Sequence, residues 1–122
     1  MSSWSEPSSE SYRDALSLAT SDAWRGSVSR AYYSAYSALT SQVQHLAPFK
    51  GGRLNPSHDA MPKLVDQIKG IEGHERKVLR KEIKQLFRMR VQADYMPGIV
   101  ADREFAKDAL SRSAQILVIL NL

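Results

Sequence analysis

Arg90 and Asp94 are the charged residues least in keeping with their surroundings. Leu79, Ile83, Leu86 and Phe87 repeat at helical spacing, and that spacing carries forward onto Arg90. From Ile83 it also reaches Asp94. Both charges are thus expected near the inward face at the end of one helix. They stand four residues apart and can pair, although arginine before aspartate is the weaker order. A guanidinium and a carboxylate near a core demand hydrogen bonds. Tyr32, Tyr33 or Tyr95 offers a hydroxyl for that purpose. Two readings stay open: a polar network that fixes helix register, or a pocket facing a ligand or RNA.

The tyrosines belong to a second unusual stretch, VSRAYYSAYSAL at 28–39. Val28, Ala31, Tyr32, Ala35 and Leu39 mark one helical face, with Tyr33 and Tyr36 to one side. Arg30 lies at another angle, either solvated, at a dimer rim, or against phosphate. Tyrosines can stack on bases, but near a bundle core they more often pack and donate one hydrogen bond. His58 follows a Gly/Pro break and precedes a short helix, where it can join the Tyr32–Tyr33 network. His45 and His74 stand alone at predicted helix ends, and three scattered histidines do not make a metal site. The chain has no cysteine, which removes thiol catalysis, disulfides and sulfur-ligated metal. It has no glycine-rich phosphate loop and no visible nucleophile–base arrangement. No metal and no cofactor is expected.

The elements that must position these residues are helices. Residues 1–9 read as a flexible Ser-rich segment, and 10–122 as one domain. A first helix is predicted over 10–20, with Tyr12, Ala15, Leu16 and Ala19 on one face. Thr20 or Ser21 can cap the second, which runs to about 45 with Asp22 in its first turn. Gly26 allows a neighbour to approach, Trp24 seals the end of the core, and Ala31, Ala35 and Ala38 permit tight packing. Two Pro and two Gly within 47–57 break the chain. A short helix over 60–69 carries Met61, Leu64, Val65 and Ile68, with Pro62 tolerated in its first turn. The fourth helix covers 74–93, basic at its start, and the last covers 102–120. No stretch alternates as a strand does. The prediction is an all-α, antiparallel up-down bundle of four main helices plus a short additional one.

A chain of 122 residues suits one domain with one core. Lys and Arg number 17 against 13 acidic residues, a formal charge of +4 that permits nucleic acid or an acidic partner without identifying either. No apolar run is long enough for a membrane span, and the first ten residues do not read as a signal peptide. A cytoplasmic location is expected.

The motifs in order resemble the small prokaryotic HEPN-domain proteins. Ser29-Arg30-Ala31-Tyr32-Tyr33-Ser34-Ala35-Tyr36 resembles their RAYYAAF-type second helix. Pro56-Ser57-His58 looks like their SKTH element, and Arg90-Val91-Gln92-Ala93-Asp94-Tyr95 resembles their R-x-x-A-D-Y signature. The resemblance covers about 10–120 and implies a helical bundle that often dimerises. It implies a defence or toxin–antitoxin setting, with a nucleotidyltransferase-like antitoxin as partner. Many members are metal-independent endoribonucleases, in which an arginine and a histidine four to six residues on meet their copies across a dimer. Such chemistry uses the 2′-hydroxyl of RNA as nucleophile and needs a group that titrates near neutrality.

Here Arg90 takes the place of the motif arginine, and no histidine follows it. Asp94 and Tyr95 stand there instead and are weak replacements. A carboxylate held in an ion pair is a poor base near neutral pH. The expected function is therefore that of a non-catalytic HEPN protein, acting through dimerisation and binding of RNA or a protein partner. The expected binding residues are Arg30, Tyr33, His58, Arg90, Asp94 and Tyr95. A metal-independent endoribonuclease with a degenerate site around Arg90 is the first alternative. A helical adaptor with no nucleic-acid role is the second.

Overall fold

The computed structural model describes residues 5–20, 23–43, 60–68 and 70–121. They form five helices: α1 (Ser5–Thr20), α2 (Trp24–Val43), α3 (Met61–Val65), α4 (Gly73–Tyr95) and α5 (Arg103–Ile119). Four are long, α3 has five residues, and the described residues contain no strand. This is the all-α up-down bundle that the hydrophobic periods predict.

α2 is the central element and touches each of the other four helices. Its composition explains the position. Ala31, Ala35 and Ala38 are fully buried and let neighbouring backbones close in, while Val28, Leu39 and Val43 fill the space between. The helix also buries Ser27, Ser34, Ser37, Thr40 and Ser41. Hydroxyls this deep need acceptors, and Ser27, Thr40 and Ser41 find them in backbone. Ser27 donates to the Ala15 carbonyl of α1 at 2.7 Å. Thr40 donates to the Tyr36 carbonyl at 2.8 Å and Ser41 to the Ala38 carbonyl at 2.6 Å. From α5, buried Ser113 reaches the Ala31 carbonyl of α2 at 2.8 Å. Two of these hydroxyls, Ser27 and Ser113, tie helices together across the gap, while Thr40 and Ser41 turn back onto their own helix.

Gly26 serves the α1–α2 contact as expected. A Cβ at this position would come within 3.2 Å of Leu18 Cδ1. Trp24, half-buried, packs against the core at the start of α2. The expected caps at Thr20 and Ser21 lie outside the residues whose side chains are described.

Helix ends differ from expectation in three places. α1 begins at Ser5 rather than residue 10, with Pro7 in its first turn, where no intrahelical N–H partner is required. α3 stops at Val65, after which Asp66 and Gln67 turn. The apolar period nonetheless continues, since Met61, Val65 and Ile68 are all buried. α4 starts at Gly73 through a capping box, in which Glu72 and Glu75 each accept from the other's backbone N–H. α5 is capped by Asp102, whose carboxylate accepts from the Phe105 N–H at 3.0 Å.

Two arginines tie the turn after α3 to α4. Arg76 donates to the Ile68 carbonyl at 2.7 and 3.2 Å, and Arg80 pairs with Asp66. A third joins α4 to α5. Arg112 Nη1 lies 2.9 Å from Glu82, whose side chain is only 7% exposed, and Arg112 Nε lies 3.1 Å from Asp108. Glu82 falls between Lys81 and Lys84 in sequence and reads there as surface; its burial follows from the packing of α5.

Candidate functional site

The last two turns of α4 meet the first half of α2, and the predicted residues gather there. Arg90 Nη2 donates to the Tyr33 hydroxyl at 3.0 Å, and Arg90 Nε to Asp94 Oδ2 at 3.0 Å. The arginine side chain is 15% exposed and the aspartate 27%. Three rings surround the guanidinium. Its central carbon lies 5.3 Å from the centre of Tyr33, 5.7 Å from that of Tyr95 and 6.0 Å from that of Tyr32. Such distances place the cation within reach of the rings' negative faces.

The partners on α2 follow a single spacing. Tyr33 bonds Arg90, and Ser29 donates to Asp94 Oδ2 at 3.5 Å. Arg25, one further turn back, presents its guanidinium to the end of α4. It donates to the carbonyls of Ala93 at 2.9 Å, Met96 at 3.2 Å, Pro97 at 3.3 Å, Gln92 at 3.4 Å and Ile99. A helix C-terminus leaves its last carbonyls without intrahelical donors. A cation there satisfies them and opposes the negative end of the helix dipole. Arg25, Ser29 and Tyr33 stand four residues apart and form one stripe along α2. Sequence reasoning missed the first two. The signal was the recurrence of polar residues at a step of four from Tyr33 backwards.

Below this corner Tyr32 is 1% exposed. Its ring meets those of Tyr33 at 5.4 Å, Phe87 at 5.7 Å and Tyr36 at 5.9 Å. Burial pushes the Tyr32 phenol far above its ordinary range, and neighbouring Tyr36 adds to this, against an opposing pull from Arg90. Burial likewise raises Tyr36, with the Thr40 hydrogen bond acting against it. Both rings stay as neutral hydrogen-bonding groups.

The structure corrects the expected depth of the charged pair. Asp94 is on the anticipated side of α4, yet the residue as a whole is exposed while its side chain stays half-buried against Arg90. The last turn of α4 runs past the end of the core, so the face that buries Ile83 meets water at Asp94. Tyr95 is 66% exposed rather than a buried hydroxyl partner, and Met96 beside it is 47% exposed. Arg30 is also exposed, and no contact joins it to Arg90 among the described residues. His58 and His45 lie outside the described residues. His74 is exposed beside Glu72 at the start of α4, roughly 24 Å along the helix from Arg90 at 1.5 Å per residue.

An open groove of about 250 Å³ continues from the corner, lined by Phe87, Arg88, Val91, Gln92 and Met96. Among the described residues no three His, Asp or Glu side chains are grouped to hold a metal ion. No helix among them is long and apolar enough to cross a membrane. One further spacing escaped the reading of the sequence: Arg53 and His58 have four residues between them. Both lie outside the described residues, and Pro56 stands between them.

The family profile for the HEPN domain covers residues 1–121. No curated protein and no solved structure matches the chain.

Proposed function

The chain belongs to the HEPN domain family, and from that premise we propose that it acts by binding rather than by cutting RNA. Its working form is a homodimer joined at the α2–α4 corner. Its setting is a defence or toxin–antitoxin module, with a nucleotidyltransferase-like antitoxin as second partner. The observation that carries this reading is the state of Arg90. Its guanidinium is held by Tyr33 and Asp94 and enclosed by three rings. A cation so engaged is a support, not a group poised to meet a scissile phosphate. Tyr95 and Met96, exposed beside it, are residue types enriched at protein interfaces.

The test has two readouts on the full chain. Sedimentation equilibrium is expected to give a dimer, weakened at least ten-fold by the double change Tyr95→Ala, Met96→Ser, in keeping with the loss of one aromatic anchor. Incubation with RNA in EDTA is expected to give no cleavage above that of Arg90→Ala or of His58→Ala. A monomer at every accessible concentration removes the dimer. Cleavage that survives EDTA and disappears in either variant replaces binding by ribonuclease action.

A further inference from the structure

The turn between α4 and α5 is fixed by main-chain bonds far more than by its own side chains. Met96, Pro97, Gly98 and Val100 are exposed, and only Ile99 is half-buried. Val100 is 75% exposed, and a Cβ added at Gly98 would meet nothing within 4 Å. Apolar packing therefore does little to set the path of 96–100.

Carbonyls set it instead. In a continuing helix the Ala93 carbonyl would take the N–H of residue 97, but Pro97 has none. Arg25 supplies that donor at 2.9 Å. Its two terminal nitrogens carry four N–H groups, and five carbonyls share them. Nη1 faces Gln92, Ala93 and Met96, and Nη2 faces Pro97 and Ile99. No carboxylate among the described residues pairs with Arg25. Asp94, on the same turn, is engaged by Arg90 and Ser29. The cation is thus held by dipoles alone, the negative end of α4 among them. A neutral ring of oxygens selects by shape. A flat cation with donors along its edges fits it, whereas an ammonium aims three donors from one point.

We infer that the end of α4 and the turn 96–99 form a receptor for a planar guanidinium cation. In the native chain its ligand is the side chain of Arg25, carried in on α2. The tether supplies a high local concentration, and the carbonyls supply the recognition. With the side chain in place the receptor is closed to guanidinium from outside. With the side chain shortened, the same carbonyls take a free alkylguanidinium. The receptor is built from main-chain atoms, so it depends neither on the dimer nor on the side chains of Tyr95 and Met96.

The experiment is chemical rescue on the full chain. Arg25→Ala ends the side chain at Cβ, and N-ethylguanidinium replaces what is missing. Hydrogen exchange is followed by NMR at the Met96 and Ile99 amides, which bond the Gln92 and Met96 carbonyls. Arg25→Ala is expected to speed both about thirty-fold. Arg13→Ala, at an exposed site on α1, is expected to change neither. N-ethylguanidinium is expected to restore the protection saturably, with half recovery on the order of 10 mM for so small a ligand. N-ethylurea is flat but uncharged, and propylammonium is charged but not flat. At equal concentration and ionic strength both are expected to leave exchange fast. Sedimentation of the same samples reports the dimer separately. Unchanged exchange in Arg25→Ala, no rescue of the folded variant, or equal rescue by either control overturns the receptor. The native chain gives a second test that needs no folded variant. Its Arg25 Nη protons are expected to give resolved signals with slow rotation, unlike those of exposed Arg13. A freely rotating Arg25 guanidinium overturns the receptor as well.

Discussion

Glu82 and Arg112 show how unequal the two halves of one ion pair are. Glu82 is buried, while Arg112 is a quarter exposed and has Asp108 as a second partner. Arg112→Met therefore leaves a carboxylate in the core with its partner gone, at a cost of about 3 kcal/mol. Glu82→Gln keeps an acceptor for the guanidinium and removes a buried charge, at a cost of about 1 kcal/mol or less. Urea midpoints of the two variants measure the difference. Equal losses would show that the pair is held in water rather than in the core. The same residues show what a sequence conceals at this scale. Arg90 with Asp94 was legible because both interrupt an apolar period on their own helix. Glu82 was not, because its burial depends on how a helix thirty residues away lies against it.

At the scale of elements, the arrangement turns on the stripe of α2 formed by Arg25, Ser29 and Tyr33. It engages the last turns of α4 from Arg90 to the carbonyl of Ile99. Arg25 closes the end, since one planar guanidinium reaches five carbonyls that have few other donors. Arg25→Ala is expected to cost about 2 kcal/mol, the range of a lost charged hydrogen-bond donor at a helix end. Hydrogen exchange should locate that loss at the Met96 and Ile99 amides, which close the turn through Gln92 and Met96. Arg25→Lys recovers only part, because an ammonium cannot span the same fork of acceptors. Protection lost evenly through all helices would show that Arg25 supports the bundle in general and not this corner. The helices themselves were readable from apolar spacing, and the start of α5 from Asp102. The early start of α1 was not, because a Ser-rich segment with one Pro carries no apolar period.

For the whole molecule, the bundle was legible because four long apolar stripes leave no other way to bury their faces. The candidate site was legible in its α4 half, which carries its own contrast of charge against apolar residues, and on α2 only at Tyr33, not at Arg25 or Ser29. The aromatic run of α2 proved to be core beneath that corner, and its burial gives the molecule a limit at alkaline pH. Tyr32 and Tyr36 hold their protons more tightly when folded than the ordinary value of about 10. Below about pH 9 both states keep the protons and stability does not depend on these groups. Above about pH 10 the unfolded chain releases them more readily than the folded chain does. Stability then falls with rising pH, by about 1.4 kcal/mol per unit for deeply buried Tyr32, and Tyr36 adds a fall of the same sign. Urea midpoints between about pH 8 and 11.5 should show the fall, with the share of tyrosinate absorbance that belongs to these two of the five tyrosines appearing only as helical signal is lost. Tyr32→Phe removes one of these two buried phenols, so its stability should decline less steeply, whatever its level at neutral pH. Tyrosinate that forms fully while the helices persist would mean that the rings beneath Arg90 are open to water.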